Sequence, residues 1–155
     1  MLTNVAFTVP GEPQGKGRAR VGKVNGHARM FTPAKTVAYE GLVAHAAQQA
    51  MGGHPPLQGA LVVEVLTFRM PPASWSNRKK QEALIGAIRP TGKPDGDNIA
   101  KAIGDGGNGV VWQDDAQIVD WRIAKFYGAT PGVRVNVAQI VVAHPKKRQS
   151  METAA

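Results

Sequence analysis

The residues best suited to do chemistry form a short acidic motif in the second half of the chain, Lys93-Pro94-Asp95-Gly96-Asp97-Asn98. In an extended segment, residues two apart point to the same side, so Asp95 and Asp97 can direct their carboxylates at one point. Two carboxylates with no histidine or cysteine beside them form a hard oxygen site, which suits Mg²⁺ or Mn²⁺ and not zinc. Such an ion activates water and neutralises phosphate charge, as phosphodiester hydrolysis requires.

The same motif also fits a purely structural role. The pattern predicts a helix from Asn98 to Asp105, which makes Asp97 its N-cap. Asp97, Lys101 and Asp105 would then form an ion-pair ladder with a spacing of four residues. Asp-Gly-Asp is also a common turn, and short motifs often arise by chance. Taken alone, the two aspartates therefore favour the structural role.

A second acidic pair, Asp114 and Asp115, lies just before a predicted strand from Gln117 to Tyr127. If this strand neighbours the predicted helix, one of the two carboxylates completes the metal site. The alternation of side chains along a strand does not say which of the two it is. Taken alone, the pair is more simply a solvated strand start. Within the strand, a bare carboxylate at Asp120 would be costly. We therefore predict that Asp120 forms a structural ion pair with Arg122.

The combined segments resemble the RusA family of Holliday-junction resolvases. The resemblance is carried by the run 93–101, KPDGDNIAK, and by the run 108–120, NGVVWQDDAQIVD, with Asp105 between them. The matched core extends from Lys93 to Phe126, and residues 15–20, GKGRAR, are similar to the opening of phage-type members. This resemblance implies a small RusA-like α+β fold and an endonuclease that acts on DNA.

The resemblance also implies a role for each matched residue. It implies that Asp95, Asp97 and Asp115 hold the metal ion and that Lys101, one helical turn beyond the motif, is essential. It further implies Mg²⁺ dependence, a homodimer, and paired nicks placed symmetrically across a four-way junction. Two other functions stay open on the residues alone. One is a different Mg²⁺-dependent phosphodiesterase for branched or flap DNA, and the other is a non-catalytic DNA-binding module.

The chain departs from the family pattern at Gly106 and Gly107, where members usually carry a small and then a larger apolar residue. Each glycine costs a helix about 1 kcal/mol relative to alanine. Together they also remove an apolar side chain from the packing. We therefore predict that the helix ends at Asp105 and that residues 106–109, GGNG, break it.

Basic residues outnumber acidic ones, 19 to 11, which gives a net charge of +8. This excess indicates an anionic partner, and we predict that the partner is DNA, bound through its phosphates. One basic group lies in a predicted flexible loop, Gly15 to Arg29, and a second lies near a predicted helix, Ser76 to Ile88. The residues predicted to contact DNA are Lys16, Arg18, Arg20, Lys23, Arg29, Arg78, Lys79, Lys80 and Lys93. Phe31 and Trp75 are candidates for stacking on bases, although such aromatics more often belong to the core.

The remaining pattern predicts a small α+β domain in which helices pack on a mixed sheet, in the order β-α-β-α-α-β-β. We place a single domain over residues 1–144 and a flexible basic tail over residues 145–155. The other predicted strands are Val5–Val9, an interior strand over Leu61–Met70, and Val133–Ala143. A further predicted helix has Thr32 as its N-cap and Gly52-Gly53 as its end, and its apolar stripe is Val37, Leu42, Val43, Ala46, Ala47 and Ala50. The chain has no cysteine, no secretion signal and no long apolar run, so we expect a cytoplasmic protein without a membrane partner.

Overall fold

The computed structural model describes residues 2–143, so the predicted tail over residues 145–155 lies outside the described residues. The strands are β1 Asn4–Pro10, β2 Arg20–Val24, β3 His27–Phe31, β4 Leu61–Arg69, β5 Ile118–Tyr127 and β6 Gly132–Gln139. The helices are α1 Ala34–Met51, α2 Asn77–Leu84 and α3 Gly96–Gly107, with a single 3₁₀ turn at Asp115–Gln117. These elements confirm the predicted small α+β fold.

Four strands form the main sheet in the order β1-β6-β4-β5. Only the β4–β5 pair is parallel, and β4 lies inside the sheet, as its apolar sequence predicts. Helix α1 packs against β1 and α3, and α3 packs against β5. Parallel strands need a long crossover connection. Here the crossover from Arg69 to Ile118 contains α2, α3 and both acidic motifs, so the sheet positions every one of the predicted metal ligands.

Helix α1 differs from the prediction at its start and on its buried face. Pro33 is the N-cap in place of Thr32, and no side chain caps the helix. The buried positions recur every three or four residues, at Thr36, Tyr39, Val43, Ala47 and Met51. Val37 and Leu42, which were expected in the apolar stripe, are exposed. The end is as predicted, because Gly52 adopts the left-handed conformation that terminates helices.

The prediction of a flexible loop from Gly15 to Arg29 is wrong, because most of this segment forms the β2–β3 hairpin. Asn25 and Gly26 connect the two strands with positive φ angles of 52° and 78°. This is the geometry of a tight hairpin turn, for which Asn-Gly is the preferred sequence. The ring of Phe31 lies across Gly22, where a Cβ atom would be only 2.7 Å from the ring.

Helix α3 also corrects the prediction at both ends. Asp95 occupies the N-cap position, so Asp97 lies in the first turn and is not the cap. The helix continues through Gly106 and Gly107 instead of ending at Asp105. A Cβ atom on Gly106 would lie 2.7 Å from the Cβ of Val43 in α1, and one on Gly107 would overlap the buried ring of Trp112. The two glycines therefore allow close packing and do not break the helix.

The other helix and strand ends differ less. Helix α2 begins after Ser76, whose hydroxyl accepts the Lys79 backbone N–H at 3.2 Å, but it ends at Leu84, short of the predicted Ile88. Strand β6 ends at Gln139, also short of its predicted end. The predicted ion pair between Asp120 and Arg122 is confirmed, at 3.3 Å. Within residues 2–143, no helix combines the length and the apolar character needed to cross a membrane.

We predict that Gly107→Ala destabilises the protein by about 1–3 kcal/mol, because the new methyl group overpacks the core at Trp112. Helix propensity alone would give the opposite result, a gain of about 1 kcal/mol. Gly41→Ala is the matched control, since Gly41 lies inside α1 with open space around the position of a Cβ atom. Urea unfolding of both variants measures the difference, and equal stabilisation by both would contradict the packing role of Gly107.

Candidate active site

The N-terminal end of α3 presents the first acidic pair. Asp95 and Asp97 are both exposed there. The Asp95 carbonyl accepts the N–H of Ile99 at 3.1 Å, and Ile99 is fully buried, which fixes the first turn in the core. Gly96 faces Ile123 of β5, where a Cβ atom would make ordinary contact at 3.4 Å. The amides at a helix N-terminus carry partial positive charge, so this end of α3 favours carboxylates and phosphates.

Two basic side chains hold the segment that leads into the motif. Arg69 at the end of β4 donates from Nη1 to the Lys93 carbonyl at 2.9 Å. Lys125, near the end of β5, donates from Nζ to the Gly92 carbonyl at 2.5 Å. Both line a cavity of about 170 Å³ next to Pro94. Our sequence analysis missed both residues. The only sequence signal for Arg69 and Lys125 was that each lies near the carboxyl end of one of the two parallel strands.

The structure gives different roles to the two residues of the second acidic pair. Asp114 is a cap, because its Oδ1 accepts the Ala116 N–H at 2.9 Å. The Asp115 backbone N–H is bound by Oδ1 of Asn108 at 2.9 Å. The Asp115 carboxylate lies against α3 at Gly104, where a Cβ atom would come within 3.0 Å of Oδ2. Of the two, Asp115 is therefore the residue that faces α3.

Asp115 lies in a locally acidic environment. Partial burial raises the pKa of its carboxyl group, and a hydrogen bond with Asp114 and the nearby charge of Asp105 raise it further. Crowding of this kind disfavours the ionised form, so a cation close to Asp115 would relieve it. Asp115 is therefore half-buried in surroundings that disfavour its ionised form.

Asp105 does not take part in the predicted ladder along α3. It forms an ion pair with Lys16 from the N-terminal segment, and Lys16 also lies 3.6 Å from Glu40 of α1. The hydrogen bond to Asp105 is the main cause of a raised pKa of Lys16. Lys101 is exposed on the face of α3 between Asp97 and Gly104. Lys16 therefore connects the N-terminal segment to both long helices, and its contact with DNA stays a prediction.

The three predicted metal ligands do not meet within one chain. Asp97 and Gly104, beside which Asp115 lies, are seven residues apart, about 10 Å of helix rise. Within residues 2–143, no group of three or more histidine, cysteine, aspartate or glutamate side chains is placed to hold a metal ion. The convergence expected from the sequence is thus not seen in the single chain. The roles of Asp95, Asp97 and Asp115 as ligands, and that of Lys101, stay predictions.

Some of the residues predicted to contact DNA are exposed to solvent, and others contact neighbouring side chains of the protein. Those that are exposed and lie in or beside the hairpin are Arg18, Arg20, Lys23 and Arg29. Near α2, Arg78 pairs with Glu82 at 3.4 Å, and the Lys79 ammonium lies 4.0 Å from the centre of the Trp75 ring. Lys80 is half-buried and Lys93 is exposed. Trp75 packs edge-to-face on Tyr127, with ring centres 5.3 Å apart, so it has a structural role in the fold.

An exposed acidic helix end on a small α+β domain with a net charge of +8 favours one class of protein, the enzymes that act on nucleic-acid phosphates. The family model described as Endodeoxyribonuclease RusA matches residues 10–138, and the chain belongs to this family. It is therefore a Holliday-junction resolvase, an enzyme that hydrolyses phosphodiester bonds in branched DNA. Resolvases of this family generally depend on a divalent metal.

The chain also has a relative in Bacillus subtilis (strain 168). The relative is described as an uncharacterized protein, YqaN, and is 38% identical over 141 residues. The alignment covers 88% of this chain and 96% of the relative. The two proteins are therefore similar over nearly their whole lengths, and not only across the acidic motifs.

We predict that Lys125→Met lowers kcat on junction DNA by about tenfold, because losing the bond to the Gly92 carbonyl lets Asp95 shift from its position. KM should change little if Lys125 positions the motif, whereas the loss of a direct phosphate contact would raise KM. The matched control is Arg122→Met, which removes one positive charge from an exposed site on the same strand. Steady-state cleavage assays separate the outcomes, and an unchanged kcat would contradict the positioning role.

Proposed function

We propose that this chain resolves four-way DNA junctions during recombination and repair as a Mg²⁺-dependent homodimer that makes paired, symmetric nicks. The observation that carries the proposal is the exposed pair Asp95 and Asp97 at the N-terminus of α3, with Lys101 one turn further along the same helix. Family membership supports the nuclease activity. A cytoplasmic location belongs to the same proposal.

The donor chemistry of the acidic pair fits Mg²⁺. The ion commonly takes one or two carboxylates and completes its shell with waters and substrate phosphate. In the proposal Asp95 and Asp97 supply the carboxylates, with Asp115 as a third ligand and Mn²⁺ as a possible substitute. Asp115 lies beside Gly104, about 10 Å of helix rise from Asp97. Its participation therefore requires either a local rearrangement or Asp115 of the second chain of the dimer.

The residues around the ion then have separate tasks. A bound divalent ion would supply an activated water and neutralise phosphate charge. Lys101 acts as a point cation beside the scissile phosphate and stabilises the charge that grows in the transition state. The amides at the start of α3 attract the same phosphate. Arg69 and Lys125 hold the Gly92–Pro94 segment, which keeps the acidic pair directed to solvent, where DNA can reach it.

A dimer suits the substrate, because a four-way junction has near-two-fold symmetry. A C2 dimer presents one active site to each of two opposed strands. In the proposal, the exposed basic residues of the hairpin, together with Arg78, Lys79, Lys80 and Lys93, neutralise phosphates of the arms. Family membership argues against a non-catalytic module. A preference for flap or other branched DNA is the alternative that a substrate panel tests.

We predict that the purified protein cuts a four-way junction in Mg²⁺ and leaves linear duplex and flap substrates largely intact, with two nicks related by symmetry. Asp97→Asn should abolish cutting, because it removes a metal-binding carboxylate. Junction binding should persist or strengthen, since the change removes negative charge near the phosphates. Gel assays of cleavage and binding on the same substrates measure both effects.

Asp120→Asn serves as the control for that experiment, because Asp120 is a partly exposed aspartate that pairs with Arg122 and has no place in the proposed site. It should cut like the unaltered protein. Nicking by Asp97→Asn at the unaltered rate would refute the acidic site. Faster cleavage of flaps than of junctions would instead favour the alternative substrate.

We further predict that Mg²⁺ raises the melting temperature of the protein without DNA, because the ion relieves repulsion between carboxylates. At a hundredfold excess of ion over its Kd, binding to the folded state alone adds about 2.7 kcal/mol. The shift should disappear in Asp97→Asn, and it should shrink in Asp115→Asn if that residue is a ligand. Calorimetry with Mg²⁺ and with a chelator makes the comparison, and an equal shift in all three proteins would contradict the proposed ligands.

A further inference from the structure

The β2–β3 hairpin stands apart from the main sheet and leaves both of its faces open. It forms a separate two-stranded sheet, and every residue of its strands is exposed except Gly22, which lies under the Phe31 ring. Isolated hairpins of two strands are only marginally stable in water. A ribbon of this kind with apolar side chains exposed on it is therefore suited to contact a partner.

The charge of the segment that contains the hairpin, between Glu12 and Glu40, indicates the chemistry of the partner. Between Glu12 and Glu40 the chain has no acidic residue. The basic residues in the same stretch are Lys16, Arg18, Arg20, Lys23, Arg29 and Lys35. Two copies of such a surface repel each other, so a second hairpin is a poor occupant. An anionic polymer is the complementary one, and DNA is the anionic polymer on which this family acts.

The side chains on one face of the hairpin point to contact with bases. Val21 and Met30 are opposite each other across the strands, so both project from the same face, and they are 69% and 66% exposed. A ribbon that reads base edges in a groove needs side chains that hydrogen-bond at those positions. The apolar side chains of Val21 and Met30 do not provide such bonds. Exposed apolar side chains on a DNA-binding element instead insert between base steps and unstack them.

The base of the hairpin is fixed beside the acidic motif. Gly15 packs on Asn98, where a Cβ atom would be 2.9 Å from the Asn98 Cβ, and the Lys16 N–H donates to the Asn98 carbonyl at 3.0 Å. The Gly17 N–H donates to Oγ1 of Thr36 in α1 at 2.9 Å. The hairpin therefore rises from the first turns of α3 and α1, next to Asp97. DNA that contacts the hairpin is held near the proposed cutting site.

We infer that the β2–β3 hairpin is a wedge that enters the open centre of a DNA junction. Val21 and Met30 lie against the bases next to the branch point, while Arg20, Lys23 and Arg29 contact the flanking phosphates. The inference rests on the proposed function and deepens it, because it assigns the distinction between branched and linear DNA to one element. A branch point offers bases whose stacking is already interrupted, so the wedge enters there at lower cost than in a continuous duplex.

The test uses a four-way junction with 2-aminopurine at the branch point, bound in the presence of a chelator so that no strand is cut. The unaltered protein should raise the fluorescence, because the probe brightens when it is unstacked. Val21→Ser/Met30→Ser should lose most of this increase. Its preference for junction over duplex should fall at least about fivefold, because the two serines remove the apolar surface that the wedge buries against the bases. Duplex affinity and its salt dependence should stay the same, because no charge is changed.

Two further variants keep the test decisive. Ile85→Ser removes an apolar side chain that is 80% exposed outside the hairpin, and it should behave like the unaltered protein. Val21→Thr/Met30→Gln keeps side-chain size and strand propensity, so it covers the case in which the serine variant misfolds. The inference is overturned if binding by the unaltered protein leaves the fluorescence unchanged, or if a folded double variant retains both the fluorescence increase and the junction preference.

Adding Mg²⁺ to the same samples separates this inference from the proposed function. If the unaltered protein then cuts the junction but never unstacks the probe, the wedge is wrong and the resolvase function stands. If it unstacks the probe but does not cut any junction, the proposed function fails and the hairpin keeps its role in branch binding.

Discussion

The close approach of α3 to Trp112 and to α1 fixes the position of the acidic helix. The Trp112 ring is fully buried and fills the space left by Gly107, and its Nε1 donates to the Gly104 carbonyl at 3.1 Å. In the same way, the missing side chain of Gly106 leaves space for Val43 of α1. Glycines normally weaken a helix, but here their lack of side chains brings a large aromatic surface onto the backbone. Packing therefore supplies the rigidity that helix propensity does not, and the other end of α3 is held by Ile99 in the core.

The parts of the fold that depend on local signals were predictable from the sequence. The apolar run of β4 marks an interior strand, Ser76 caps α2, and Gly52 ends α1 through its left-handed conformation. The pairing of Asp120 with Arg122 follows from alternation along one strand. In each case the physical cause lies within a few residues of the observed feature, so no knowledge of the tertiary structure is needed.

The features that sequence analysis missed depend on distant partners or on competing signals. The end of α3 was placed too early, because the benefit of Gly106 and Gly107 comes from Val43 and Trp112 and not from the helix itself. The Asn25-Gly26 turn was a local signal, but the surrounding glycine and basic residues concealed it. Within the site, the motif and Asp115 could be proposed by resemblance. The separation between them could not, since it depends on where Asp115 lies against α3.

The topology of the main sheet also has a consequence for biosynthesis. Within the main sheet, strand β1 leaves the ribosome before the other strands and pairs with β6, the last of the four to emerge. Strand β6 in turn separates β1 from β4. Because a growing chain folds from its N-terminus, β1 has to wait for residues up to Gln139 before it finds its neighbour. A nascent chain that already carries Asp95 and Asp97 therefore lacks the completed sheet beneath them. Synthesis through β6 thus precedes assembly of a DNA-cutting protein.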